Sequence, residues 1–152
     1  QAKEMAKVHV EIIPTKSVPE GFAAAIAYAS DASAQENVKQ MTNAMEAVST
    51  GQVTYAVRDT EINGKQIHAG DIIGLSGGRI IACGSDTNDT AFQLVREMAT
   101  QDSSVITVYY GEDITDEIAA NLCADLENQY GDLDILAQYG GQPVYYYTIS
   151  VE

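Results

Sequence analysis

Hydrophobic positions along this chain repeat with two different periods, and the changes of period mark out its elements. Residues 8–13 (VHVEII) alternate and predict a first strand. PTKSVPE then leads into an Ala-rich helix, GFAAAIAYA. Ser17 and Glu20 have capping-box spacing, Pro19 suits a first helical turn, and Phe22 with Ile26 supplies an apolar anchor at i, i+4. Ser33 and Glu36 repeat the capping spacing before a second helix. Its stripe is Val38, Met41, Met45 and Val48, a pattern that core filling explains more often than an adaptable groove, and Thr50-Gly51 is expected to end it. From Gln52 the period is two: Val53, Tyr55 and Val57 alternate with Thr54, Ala56 and Arg58. Residues 61–67 form a hairpin with an Asn63-Gly64 turn, and residues 71–75 and 79–83 form another around Ser76-Gly77-Gly78. The next helix turns Ala91, Leu94, Val95 and Met98 inward and is capped by Asp86 or Asn88.

The rest of the chain reads as strand, acidic helix, strand, Gly-Gly turn and tyrosine-rich strand. Val105–Tyr110 is an unbroken apolar run suited to a strand buried on both faces. Thr115 caps the helix, Asp116 and Glu117 complement its dipole, and Ile118, Leu122, Leu126 and Tyr130 make its core face. Gly131 is its expected left-handed stop. Leu133, Ile135, Ala137 and Tyr139 then alternate with Asp134, Leu136 and Gln138. In the final strand Tyr145 and Tyr147 share one face, opposite Tyr146. The order β-α-α, antiparallel meander, α, β-α-β-β predicts an α/β (α+β) fold with a mixed sheet covered by helices. The one linker is residues 30–33, dividing residues 1–29, a remnant of an earlier lobe, from a main lobe of residues 30–152. The opening QAKEMAK reads as the tail of a helix, which suggests a piece of a longer protein.

Charge changes this picture more than composition does. Asp plus Glu number 22 against 8 Lys plus Arg, a net charge of -14, which argues against nucleic-acid and anionic-membrane partners. Arg96 is the last cation, and eleven acidic residues follow it. They make either an ordinary solvated face or a docking surface for a basic protein. Cys83 and Cys123 sit in apolar patterns and read as buried thiols in a reducing cytoplasm. No apolar run approaches membrane-spanning length.

Reactive constellations are sparse. His9 and His68 lack metal-site spacing, and neither Gly77-Gly78 nor Gly140-Gly141 has a phosphate-loop pattern. Thr15, Lys16 and Ser17, at a helix start, could hold an anion, although capping by Ser17 explains them more simply. Glu112, Asp113, Asp116 and Glu117 could serve acid–base or magnesium chemistry, but dipole complementarity is the simpler account.

EIIPTKSVPEG, VTYAVRDTEINGKQIHAGDIIGLSGG, VITVYYGEDIT and YGGQPVYYYTISVE together resemble the C-terminal domain of the dihydroxyacetone-kinase-like A subunit of bacterial fatty acid kinase. The resemblance runs from about Val8 to Glu152, and the last two motifs are the most specific. It implies a DegV-like lobe, non-catalytic by itself and without cofactor. ATP and magnesium then belong to a separate kinase domain, and dimerisation to a middle domain. The implied partner is the acyl-carrying, DegV-like subunit, whose fatty acid the kinase phosphorylates for phospholipid synthesis. The docking carboxylates expected first are Glu112, Asp113, Asp116 and Glu117, then Asp125 and Glu127. The alternative is a fatty-acid-binding module walled by the Ala-rich helix and the tyrosine strand.

Overall fold

A computed structural model describes residue 5, residues 8–62 and residues 65–152. The chain divides into two compact units, residues 1–48 and residues 49–152, so the segment 30–33 lies inside the first. The QAKEMAK helix tail, Met5 apart, and the Asn63-Gly64 turn fall outside the described residues.

Beyond residue 8 the first unit is built on two helices. Helix α1 (Val18–Ile26) has Pro in its first turn and Ser17 as N-cap, its hydroxyl accepting from Glu20 N–H. Helix α2 (Ala34–Glu46) starts at a complete capping box, in which Ser33 Oγ accepts from Glu36 N–H and the Glu36 carboxylate accepts from Ser33 N–H. Asn37 is buried between the helices, bonded to Ala29 N–H and to the carbonyls of Ala29 and Ala32. Four expectations fail in this unit. Residues 9–16 form no strand, because no other described segment pairs with them. Phe22 (54% exposed) and Ile26 (85%) anchor nothing, and α1 buries Ala24 and Pro19 instead. Only Val48 of the methionine stripe is fully buried. Helix α2 ends at Glu46 with Ala47 as C-cap, well before Thr50-Gly51.

The second unit is a mixed α/β layer. Strands β1 (Ser49–Tyr55), β4 (Ile72–Ser76), β5 (Arg79–Gly84), β6 (Val105–Tyr110), β7 (Asp134–Tyr139) and β8 (Tyr147–Val151) form a six-stranded sheet ordered β5-β4-β1-β8-β6-β7. Among the described residues only β6 and β7 pair in parallel, joined through helix α4 (Asp116–Gln129). The β4–β5 turn sets Gly77 and Gly78 at φ 58° and 77°, as a primed two-residue hairpin requires. Strands β2 (Thr60–Ile62) and β3 (Lys65–Ile67) form a separate antiparallel pair, and Ile67 packs with Ala56 and Ile73 in a small second core.

The main core lies between the other face of the sheet and two helices, α3 (Thr87–Met98) and α4. Helix α3 starts at Asp86, whose carboxylate accepts from Asn88 and Asp89 N–H, and buries Ala91, Leu94, Val95 and Met98 as expected. Gly51 lies within β1, where a Cβ would approach Met98 Sδ to 2.5 Å; the glycine lets α3 sit close to the sheet and is no helix stop. In α4 the Thr115 cap forms, but the buried face is Ala119, Leu122, Cys123 and Leu126, leaving Ile118 37% exposed. Tyr130 ends α4 at φ -122°, so Gly131 is not needed in a left-handed role. Strand β1 stops at Tyr55, and both Val53 and Thr54 are buried, as befits an inner strand rather than a half-wet one. Both cysteines are thiols, but Cys83 is only half-buried. Burial first, and then Glu127, raises the pKa of the Cys123 thiol.

Tyr147 is fully buried, and its hydroxyl donates to Asn88 Oδ1 at 2.5 Å, while Asn88 Nδ2 donates to the Ile118 carbonyl at 2.9 Å. One amide thus ties β8, α3 and α4 together. Tyr147→Phe is expected to cost about 1 kcal/mol and Tyr147→Ala about 3–5 kcal/mol, measured by denaturant unfolding. In the first unit, hydrogen bonds from Ser33 lower the pKa of the Glu36 carboxyl. Its stabilising contribution is therefore present above the ordinary carboxylate range and is lost as pH falls through the lowered value. Ser33→Ala is expected to move the Glu36 titration upward, read by NMR.

Candidate functional site

The site grows from one end of the sheet, where β1, β6 and β7 finish and β8 begins. Each of these strands places a tyrosine there, or just before it. Tyr55 and Tyr146 meet edge to face at 6.5 Å, and Tyr110 and Tyr139 meet at 5.5 Å. Tyr145 and Tyr146 precede β8, which starts only at Tyr147. The expected alternation of three tyrosines on one strand therefore does not occur.

The segment before β8 is held by many bonds. Gly140 and Gly141 N–H donate to the Tyr110 carbonyl, Gln142 Nε2 donates to the Tyr109 carbonyl at 2.8 Å, and Glu112 N–H donates to the Gln142 carbonyl. Tyr146 N–H donates to the Val53 carbonyl, and Gly111 N–H to the Tyr146 carbonyl. Val144 sits at φ 73° in a γ-turn closed by Tyr145 N–H donating to the Pro143 carbonyl at 2.8 Å. Such a backbone is strained for a β-branched residue, at a cost of order 1–3 kcal/mol. The Thr54 hydroxyl fixes it by donating to the Val144 carbonyl at 2.8 Å. The strained turn leaves Pro143 and Val144 exposed.

Across from this segment run Gly111, Glu112 and Asp113 and the first turn of α4. Glu112, Asp113, Asp116 and Glu117 are all exposed and are brought together at this helix start. The Tyr110 hydroxyl donates to Asp116 Oδ1 at 2.9 Å, and that bond is the main cause raising the pKa of the phenol. Asp125 and Glu127 are not part of the group; they lie nine and eleven residues beyond Asp116, about 14 and 17 Å along the helix. Asp125 instead lines a shallow cleft of about 290 Å³ with Asn88, Asp89 and Phe92. At Thr15-Lys16-Ser17 the helix-start groups already have partners: the Glu20 carboxylate takes Lys16 N–H, and Ser17 accepts from Glu20 N–H. Sequence reasoning missed Tyr55, Tyr110 and Tyr139, because they are spread over three strands and become neighbours only in the sheet. Among the described residues there is no cluster of three or more His, Cys, Asp or Glu arranged to hold a metal. The site offers negative charge, carbonyls and aromatic faces.

A mixed α/β domain with an aromatic and acidic strand-end surface is thus what the chain presents. Residues 1–152 match the family of C-terminal domains of proteins like the fatty acid kinase A-type subunit, and the chain belongs to it. Similar proteins include the uncharacterized protein SH1689 of Staphylococcus haemolyticus, 39% identical over 152 residues. The uncharacterized protein SAUSA300_1119 of Staphylococcus aureus is 38% identical over the same length. Each match takes in 100% of this chain and 28% of the relative, so the chain spans a little over a quarter of their length. No described helix is long and apolar enough to cross a membrane.

Gly111 and Val144 should respond in opposite ways. A Cβ at Gly111 would collide with the Tyr145 and Gln142 carbonyls, so Gly111→Ala is expected to cost about 1–3 kcal/mol. Val144→Gly releases the φ strain and is expected to leave the melting temperature unchanged or higher. Thermal unfolding of both variants checks the pair.

Proposed function

We propose that this domain is a docking module: within a fatty acid kinase it engages the subunit that carries the acyl group, and it performs no chemistry itself. The observation that carries this reading is the exposed run of Glu112, Asp113, Asp116 and Glu117 at the start of α4, with Asp116 bonded to Tyr110 of the Tyr110–Tyr139 pair. Exposed acids around aromatic anchors have the composition of a polar-rimmed protein interface. The partner surface is basic, since residues 49–152 hold sixteen acidic residues against four cations. On this reading, ATP and magnesium act in another part of the longer protein, and phosphorylation of the acyl group takes place there. The strained Pro143-Val144 turn gives the surface a fixed apolar contact that needs no ordering on binding.

Surface charge of this kind acts mainly on association rate and is screened by salt. Raising ionic strength from about 50 to 500 mM should weaken binding to the acyl-carrying subunit by an order of magnitude, chiefly through slower association. The double variant Glu112→Lys, Asp113→Lys should bind more weakly at low salt and lose most of the salt dependence. Surface plasmon resonance reads both, and an affinity indifferent to salt contradicts the electrostatic reading.

A further inference from the structure

The geometry points to the outer edge of β7 as the line on which the partner adds a β-strand. This deepens the docking reading and rests on it. Strand β7 ends the sheet order and pairs with β6 through six consecutive residues, without a register shift. Two bonds fix which way its main chain faces. Asp134 N–H donates to the Ser104 carbonyl and Gly140 N–H to the Tyr110 carbonyl, each at 2.9 Å. In a parallel ladder, alternate residues turn both N–H and C=O to the same neighbour. Residues 134, 136, 138 and 140 therefore face β6, and Ile135, Ala137 and Tyr139 direct theirs outward. Among the described residues nothing takes up those outward groups.

Natural sheets blunt such an edge with Pro, Lys, a bulge or a very short strand. The opposite edge has two protections: β5 carries Arg79, and its ladder to β4 shifts register at Gly74/Leu75. Strand β7 (DILAQY) has no proline, no cation and no shift. It also exposes Leu136 (48%) and Tyr139 (65%). An open, regular, apolar edge binds extended chain: backbone bonds supply affinity and alternate side chains supply selectivity.

Charge selects the occupant. Asp132 and Asp134 stand at the start of β7, and at its far end Glu112 and Asp113 follow the neighbouring strand β6, where Glu112 N–H bonds the Gln142 carbonyl. A second copy paired antiparallel would bring acids against acids at both ends. An extended segment flanked by Lys or Arg, presented by the acyl-carrying subunit, meets complementary charge at both ends. We therefore assign the edge to that segment.

Amide hydrogen exchange by NMR on the 152-residue chain, alone and saturated with the acyl-carrying subunit, tests the assignment. Ile135, Ala137 and Tyr139 amides should slow tenfold or more in the complex, while Leu136 and Gln138, already bonded to β6, change little. Ala137→Pro removes a donor that β6 does not use and should weaken binding at least tenfold. Its fold is checked by its own spectrum, and the exchange readout stands without it. Binding with those three amides unprotected overturns the edge and leaves the docking reading intact. No binding by the unaltered chain overturns both. Protection that grows with concentration in the absence of partner gives the edge to a second copy and overturns the assignment.

Discussion

The sheet depends on its last strand. Strands β1, β4 and β5 form one antiparallel half, β6 and β7 form a parallel pair, and no strand hydrogen bond joins the two halves except through β8. Its five residues pair with Ser49–Val53 on one side and with Ile106–Tyr110 on the other. Its inward residues Tyr147, Ile149 and Val151 fill the centre of the core. The contacts that hold the unit together are therefore among the most distant in the chain. Tyr147 adds the bond to Asn88 that brings both covering helices onto the same strand.

This arrangement dictates what happens just before β8. The chain leaves the edge strand β7 and must pass β6 to enter between β6 and β1. Residues 140–146 make that crossing, and Gly140, Gly141, Gln142, Val144 and Tyr146 are each bonded to the end of a neighbouring strand or the residues just after it. Gly111 has no side chain because the Gln142 and Tyr145 carbonyls occupy that space. Val144 tolerates φ 73° because Thr54 and the flanking ladder bonds leave it no alternative. The surface proposed for docking is thus an extension of the core. Its acids and tyrosines sit on backbone that the sheet already fixes, so binding there orders little that was mobile.

The caps and the tight turn were the most legible signals in the sequence. The Ser33–Glu36 box, the Thr115 cap, the Asp86 cap (one of the two residues offered for it) and the Gly77-Gly78 turn all follow from bonds closed within a few residues, which adjacent residue types specify. Signals that depend on a distant partner were less legible. VHVEII alternates like a strand, but alternation cannot supply a ladder. Gly51 has the residue type of a helix stop, and its real reason is a helix that comes to lie on it more than forty positions later. Ile118 matched an i, i+4 series, yet the helix turns Ala119 and Cys123 inward with Leu122 and Leu126. The acidic cluster could be named from the sequence because Glu112 to Glu117 are near neighbours. Its tyrosine companions come from three strands and could not.

The two units both expose apolar side chains but differ in charge. Residues 1–48 carry four lysines against six acids, with Val18, Phe22 and Ile26 exposed along α1. Residues 49–152 carry nearly all the net charge. If solubility alone set that excess, acids would be expected to protect the most aggregation-prone feature, the open edge of β7, along its length. They lie instead at its two ends, with Leu136 and Tyr139 exposed between them. Charge at the ends still repels a second copy while the middle stays open to backbone pairing. On the proposed docking reading, the pattern discriminates between partners by charge before any backbone bond forms. It explains how one edge can be left unprotected in so acidic a chain: the safeguard against self-pairing and the attraction for a cationic strand are the same carboxylates.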